Sequence, residues 1–120
     1  MKTRIAIFFA LLIALVSLSA YADDYNARQA THYTQEAEYY QKKADNYRKE
    51  AQYYLKKAEG YQREAAYYTR KGDASRAKEY NRRADMAMSN YETQMRYAAN
   101  ADQKAADNYK KAAYYLGKVK

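Results

Sequence analysis

A strict seven-residue repeat of alanine and tyrosine limits the fold of this chain more than any other feature. Alanine recurs at every seventh position and tyrosine follows three residues behind it, in the pairs Ala30 and Tyr33, Ala37 and Tyr40, Ala44 and Tyr47, Ala51 and Tyr54, Ala58 and Tyr61, and Ala65 and Tyr68. An unbroken spacing of seven is typical of a left-handed coiled-coil seam, with alanine at heptad position a and tyrosine at d. The repeat predicts one long helix over about 25–71.

The N-terminus has the pattern of a signal peptide. Lys2 and Arg4 precede an apolar run over 5–20, which leads into a small-residue cleavage pattern ending at Ala22. The run is shorter than the roughly 20 apolar residues that a membrane span requires. We therefore expect cleavage of residues 1–22, a mature protein that starts at Asp23 with no transmembrane segment, and a periplasmic or secreted location.

The composition of the mature part excludes an ordinary globular core. Its large aliphatic residues are only Leu55, Leu116, Val119 and three methionines, whereas it holds 19 alanines and 16 tyrosines. Alanine favours helix, and tyrosine supplies large apolar area. With 20 Lys and Arg against 14 Asp and Glu, the mature chain is basic. The absence of cysteine from the sequence excludes disulfides and thiolate metal sites.

A Gly72-Asp73 step interrupts the repeat and predicts a turn. Glycine can end one helix in a left-handed conformation, and aspartate can cap the next, which we place over about 74–116. An antiparallel hairpin about this turn sets tyrosine opposite alanine in seven of twelve seam layers, such as Tyr40 with Ala105 and Tyr61 with Ala84. Such alternation of large and small residues gives dense packing.

Not every layer follows the large-against-small rule. The same pairing sets Tyr54 against Tyr91, and it places Gln94 opposite Ala51 and Asn108 opposite Ala37 as polar layers that can fix the register.

The predicted fold is therefore all-α: a single domain over 23–120 formed by a long, antiparallel, coiled-coil-like helical hairpin with an Ala/Tyr heptad seam, able to assemble into a bundle or filament. The alternative is one continuous helix in an intermolecular coiled coil, which requires an unbroken seam phase. The phase shifts by five residues between Ala65 and Ala77, at the Gly-Asp step, and this shift favours the hairpin.

Three tyrosines of the first helix lie outside the seam. Tyr39, Tyr53 and Tyr67 occupy position c in alternate heptads, about 130° from the seam centre, so they cannot belong to the hairpin core. Each is followed by cations three and four residues later, where side chains become neighbours on a helix. These cations are Lys42 and Lys43, Lys56 and Lys57, and Arg70 and Lys71. We predict that these nine residues form a partner-binding stripe.

The charges alone have a simpler explanation, because acid-before-base pairs such as Glu38 and Lys42 stabilise exposed helices. Three outward tyrosines at a fixed period are better explained by burial against a partner. The sequence predicts a structural or interaction module that associates with itself or with a helical protein. The alternative is binding of a polyanion, such as envelope polysaccharide, anionic lipid or nucleic acid, through the tyrosine and cation stripe.

Nothing in the sequence has the pattern of a catalytic or cofactor site. The single histidine, His32, has no cysteine partner and falls at an outward position, where a solvated side chain is the expected state. The mature serines lie far from it in the predicted hairpin. Met86, Met88 and Met95 are expected to fill gaps near the seam rather than to bind copper. We expect no enzymatic activity, cofactor, metal ion or small-molecule substrate.

Overall fold

The computed structural model describes residues 24–119, which form two long helices. Helix α1 spans Asp24–Arg70 and helix α2 spans Ala74–Leu116. The helices pack as a hairpin, and the described residues contain no strand, which confirms the predicted fold class. Helix α2 has the predicted bounds, and α1 begins and ends one residue earlier than predicted. The predicted signal peptide, residues 1–22, lies outside the described residues.

The turn between the helices is closed by backbone and side-chain hydrogen bonds. Gly72 has a φ of 78°, a left-handed conformation that glycine adopts without strain. Its N–H donates to the carbonyl of Thr69 at 3.1 Å, and the N–H of Asp73 donates to the carbonyl of Tyr68 at 2.9 Å, which is the Schellman pattern. The Asp73 carboxylate accepts a 3.0 Å bond from the N–H of Arg76 and so caps α2. Both predicted roles of the Gly-Asp step are confirmed.

Contacts divide the chain into two compact units. The terminal unit comprises Met1–Lys43 and Ala101–Lys120, of which 24–43 and 101–119 are described, and the turn unit is Ala44–Asn100. In both units the position-a alanines of α1 are buried, with exposures between 0% and 3%. The alanine seam therefore faces the partner helix within the same chain.

Among its described residues, the terminal unit buries one aromatic side chain. Tyr109 is 5% exposed and packs with Ala37 and Ala112, and Tyr33 and Leu116 pack against this cluster. A second cluster surrounds two further alanines with Tyr115, Leu116 and Val119, the alanines being Ala27 and Ala30. The Tyr109 ring and the aliphatic residues at the end of α2 thus cover the alanine seam.

At the predicted polar layer of Asn108 and Ala37, the structure packs the Tyr109 ring against Ala37. The hydroxyl of Tyr109 donates a 3.0 Å hydrogen bond to Gln41 across the hairpin. The Asn108 amide instead donates to the carbonyl of Lys104 in its own helix at 2.9 Å. Burial of a tyrosine ring on an alanine removes more apolar area from water than burial of an asparagine side chain. Burial of the asparagine amide also costs free energy unless all of its hydrogen bonds are made.

The turn unit has a different interior, because all of its buried residues are alanines. They are Ala44, Ala51, Ala58, Ala65, Ala77, Ala84, Ala87 and Ala98. The seam tyrosines of this unit, such as Tyr54 and Tyr61, are only partly buried. A groove of about 170 Å³ is lined by these two rings together with Met86 and Ala87. The predicted pairing sets Ala87 opposite Ala58, and two small residues in one layer leave such a space unfilled.

Candidate interaction surface

The three outward tyrosines of α1 are exposed as the heptad phase predicts. Tyr39 and Tyr53 are each 52% exposed and Tyr67 is 44% exposed. Three large, partly apolar side chains at a regular spacing on one helix are the first candidates for a contact surface.

The cations that follow these rings separate into two groups. The lysine four residues later lies against each ring: Lys43 is 5.2 Å from the Tyr39 centroid, Lys57 is 5.1 Å from that of Tyr53, and Lys71 is 5.5 Å from that of Tyr67. These distances are within the range of cation–π attraction.

The cations three residues after the rings have different surroundings. Lys42 pairs with Glu38 at 3.4 Å, as the simpler explanation of the charges predicts, and Lys56 and Arg70 are exposed. The predicted six cations therefore form two sets, one against the rings and one directed to acids or solvent.

Each outward ring also contacts the seam tyrosine that follows it. The centroids of Tyr39 and Tyr40 are 5.2 Å apart with an interplanar angle of 72°, an edge-to-face arrangement. The same contact recurs at 5.3 Å and 5.1 Å in the next two copies, between Tyr53 and Tyr54 and between Tyr67 and Tyr68. Seam tyrosine, outward tyrosine and lysine thus form one local arrangement with the sequence Tyr-Tyr-x-x-Lys, which we call the tyrosine–lysine unit.

A fourth tyrosine–lysine unit closes α2, and the heptad analysis of α1 did not find it. Tyr114 is 58% exposed, contacts Tyr115 edge to face at 5.2 Å, and has the ammonium of Lys118 4.4 Å from its centroid. The sequence over 114–118, YYLGK, differs from the YYLKK over 53–57 at one position. A comparison of short strings, rather than of heptad positions, would have found this copy.

Hydrogen bonds hold two of these lysines in their charged form. A hydrogen bond with the Tyr53 side chain raises the pKa of Lys57, and one with the Tyr114 side chain raises the pKa of Lys118. Lysine is already an ammonium ion at physiological pH, and the upward shift is in the same direction. Each unit presents a cation beside an aromatic ring rather than a bare apolar ring.

Cations also lie against tyrosines of the seam. In the terminal unit, Lys104 is 5.4 Å from the Tyr40 centroid and Lys111 is 5.4 Å from that of Tyr33. In the turn unit, arginines take this place, with Arg76 at 5.4 Å from Tyr68 and Arg83 at 5.2 Å from Tyr80. Positive charge is thus concentrated along the tyrosines of both helices.

One acidic group modifies this pattern in the turn unit. Glu79 bonds to Arg82 at 2.7 Å and to Arg83 at 3.2 Å, and these bonds lower the pKa of Glu79 to about 2. The carboxylate neutralises one of the two guanidinium charges, and the cluster keeps a net positive charge.

The remaining candidates show no arrangement for chemistry. His32 is exposed and contacts the Tyr33 ring edge-on at 5.0 Å. Met86 does not fill a gap as predicted: it is 55% exposed, and its sulfur accepts a 3.0 Å bond from Arg82. Over 24–119, no group of three or more His, Asp or Glu side chains could hold a metal ion. Neither described helix contains a segment long and apolar enough to cross a membrane.

Comparison with known proteins adds no relative to this picture. No protein family, curated protein or solved structure matches the chain significantly.

Proposed function

We propose that the mature chain is an exported, non-enzymatic structural module that associates with further copies of itself through its tyrosine-bearing faces to form a bundle or filament. The observation that carries this proposal is the distribution of side-chain sizes. Among residues 24–119, the interior holds alanines, Thr34 and one buried ring, Tyr109, whereas tyrosines such as Tyr39, Tyr53 and Tyr114 remain more than half exposed.

The exposed rings have enough area to support association. A half-exposed tyrosine leaves roughly 100 Å² of ring and side-chain surface in water, and its burial would release roughly 2 to 3 kcal/mol. Several such rings on each copy would offset the cost of bringing two chains together. A two-helix hairpin with an alanine interior buries modest area by itself, so further copies would also stabilise the fold.

Sedimentation equilibrium of the chain over 23–120 tests this proposal. We expect an oligomer whose population rises with protein concentration. Replacing Tyr39, Tyr53 and Tyr67 by serine should shift the equilibrium strongly towards the monomer, because a buried interface tyrosine is commonly worth 1 to 2 kcal/mol or more. The helical circular dichroism signal should persist, since serine in an exposed helix costs only a few tenths of a kcal/mol per site.

A matched control uses the same heptad position without a tyrosine. His32 occupies position c one heptad before Tyr39, Asn46 occupies it between Tyr39 and Tyr53, and both are exposed. Serine at these two sites should leave the association constant unchanged. An unchanged oligomer in the triple tyrosine variant would mean that the stripe is a solvated surface.

One observation supports polyanion binding as a second candidate: a lysine lies within 5.5 Å of each outward ring centroid of α1. A ring with an adjacent ammonium ion can stack on a sugar or base and pair with its negative charge. Such binding would weaken steeply with added salt, whereas self-association of basic chains would not.

The two sets of cations allow a test of polyanion binding in which both variants undergo the same change in net charge. Glutamate at Lys43, Lys57 and Lys71 should abolish binding to dextran sulfate if the tyrosine–lysine units hold the polymer. The same change at the neighbouring positions should weaken binding much less, the control sites being Lys42, Lys56 and Arg70. Equal losses would indicate attraction by overall charge, and no binding by the parent protein would reject this candidate.

A further inference from the structure

Two tyrosine pairs join the helices by parallel stacking. The ring centroids of Tyr33 and Tyr115 are 5.7 Å apart with an interplanar angle of 7°, and those of Tyr68 and Tyr80 are 5.5 Å apart with an angle of 8°. The other close tyrosine pairs among the described residues are inclined by 38° or more. The first stacked pair belongs to the terminal unit and the second to the turn unit.

The sequence builds both pairs in the same way. In the terminal unit, predicted layers of Ala30 with Tyr115 and of Tyr33 with Ala112 follow one another, so that the large residue changes helix from one layer to the next. Both alanines are fully buried, and the rings of Tyr33 and Tyr115 lie parallel to each other. The turn unit repeats this inversion with Ala65 and Tyr80 followed by Tyr68 and Ala77.

We propose that these two pairs are sites of oxidative cross-linking, at which each pair becomes a dityrosine bridge between α1 and α2. The oxidant is hydrogen peroxide, used by a haem peroxidase in one-electron steps. Each phenol loses one electron and one proton, and the two phenoxyl radicals join by a carbon–carbon bond between ring positions ortho to oxygen. The ortho hydrogens then move to the oxygens and restore both aromatic rings. One peroxide takes up two electrons and two protons and becomes two waters.

Ring orientation selects these pairs over the others. The unpaired electron of a phenoxyl radical occupies a π orbital whose lobes at the ortho carbons stand perpendicular to the ring. Parallel stacked rings direct these lobes at each other, whereas an edge-to-face pair directs an edge at a face. Tyr115 has both kinds of neighbour, with Tyr33 stacked on it and Tyr25 and Tyr114 meeting it at 80°. Coupling to Tyr33 is therefore favoured.

The four rings are partly exposed, so oxidation does not require unfolding. The chain has no cysteine, and a tyrosine bridge would be its covalent link between helices. A bridge between Tyr33 and Tyr115 closes a long loop of the chain, and one between Tyr68 and Tyr80 closes only the turn. In the chain-entropy description, the longer loop gives the larger stabilisation. This proposal does not depend on self-association.

The test is oxidation of the dilute mature chain with a haem peroxidase and hydrogen peroxide, followed by peptide mapping by mass spectrometry. We expect two links within one chain, each with a loss of two hydrogen atoms, and a raised melting temperature. Tyr115→Phe should remove the link at Tyr33 and leave the link between Tyr68 and Tyr80, and Tyr80→Phe should have the converse effect. Tyr114→Phe is the matched control, because it removes an exposed edge-to-face neighbour and should leave both links.

Three outcomes would overturn the proposal. The first is coupling of Tyr115 mainly to Tyr25 or Tyr114, which would show that orientation does not select the partner. The second is coupling of Tyr80 mainly to Tyr61, which lies at 6.2 Å and 38°. The third is the formation of links only between chains. Circular dichroism of each phenylalanine variant before oxidation would confirm that the hairpin is intact. The mass of the linked species distinguishes links within one chain from links between chains, whatever the oligomeric state.

Discussion

The terminal unit and the turn unit share one repeat but are stabilised differently. The terminal unit buries Tyr109 and packs Leu116 and Val119 against its alanines. The turn unit fully buries only alanines, and its seam tyrosines are partly buried. In compensation, its two helices are joined by the Gly72 turn, so their pairing costs little chain entropy.

The difference indicates that an alanine seam can set how the two helices pair while supplying little of the free energy that holds them together. Near the turn, where the chain joins the two helices, the alanine seam and partly buried tyrosines hold the helices together. Where the two helices end far from the turn in sequence, the hairpin adds a buried ring and aliphatic residues, because only larger apolar area offsets the entropy of holding the ends together.

Among the changes that test this comparison, truncation of Tyr109 should have the largest effect on the free energy of unfolding. Tyr109→Ala removes the large buried ring of the terminal unit, and we expect it to lower the free energy of unfolding by about 3 to 5 kcal/mol. The measurement is urea denaturation followed by circular dichroism. Tyr91→Ala in the turn unit is the matched change at a partly buried ring, and a smaller loss is expected. Equal losses would contradict the contrast between the units.

Alkaline pH should weaken the terminal unit selectively. Burial raises the pKa of Tyr109 from 10.0 to about 12, with a further contribution from Glu38. Between these values the unfolded chain releases this proton more readily than the folded chain, so stability is complete below about pH 10 and falls as the pH rises to about 12. The expected loss from this group is roughly 2 to 3 kcal/mol.

Other tyrosines ionise over the same interval, so a variant must isolate this contribution. Tyr109→Phe keeps the ring and removes the ionisable group, and its stability should fall less steeply between pH 10 and 12. Denaturant titrations at stepped pH compare the two proteins. Parallel curves would show that Tyr109 ionises equally easily in both states.

Replacing an alanine by leucine should cost more stability in the terminal unit than in the turn unit, because the turn unit has a groove beside Ala87. Ala37 is fully buried against Tyr109, and Ala37→Leu should cost about 1 to 3 kcal/mol by overpacking. Ala87 lines the groove of about 170 Å³ in the turn unit, and Ala87→Leu should change stability by less than about 1 kcal/mol. Thermal denaturation of both variants measures the difference. A larger cost at Ala87 than at Ala37 would mean that the turn unit is the more tightly packed.

The smallest expected effect is a gain in the turn unit. Gly60 lies within α1, and a methyl group added there meets no atom within 4 Å. Gly60→Ala should therefore raise the free energy of unfolding by about 0.5 to 1 kcal/mol through helix propensity alone. Urea denaturation can resolve this gain, and a loss would reveal a contact that requires glycine.

Much of the fold could be predicted because few forces determine it. The period of seven defines the seam, and Gly72 and Asp73 are residue types suited to ending one helix and starting another. Tyr109 could not be predicted from the strict repeat, since α2 lacks an unbroken Ala/Tyr series and Asn108 occupies the position that the pairing rule assigns. Only the contacts of the folded hairpin show which of these adjacent residues is buried.

The candidate surface was predicted in part. Heptad phase placed Tyr39, Tyr53 and Tyr67 outward, but spacing alone could not distinguish the cation at i+3 from that at i+4, because both are neighbours on a helix. Side chains in a helix lean towards its N-terminus, so Lys43 extends back over Tyr39. The unit of Tyr114 and Lys118 falls outside the repeat of α1 and becomes visible only when its local sequence is compared.

The turn has a consequence for the order of folding. Asp73 ends α1 through its main-chain N–H and starts α2 through its carboxylate, so one residue closes both helices. Contacts beside it join residues close in sequence, such as Tyr68 and Tyr80, whereas Gln41 and Tyr109 are separated by 68 residues. Contacts between residues near in sequence form fastest. We therefore expect helix pairing to begin at the turn and proceed towards the chain ends, so that the burial of Tyr109 completes folding rather than starts it.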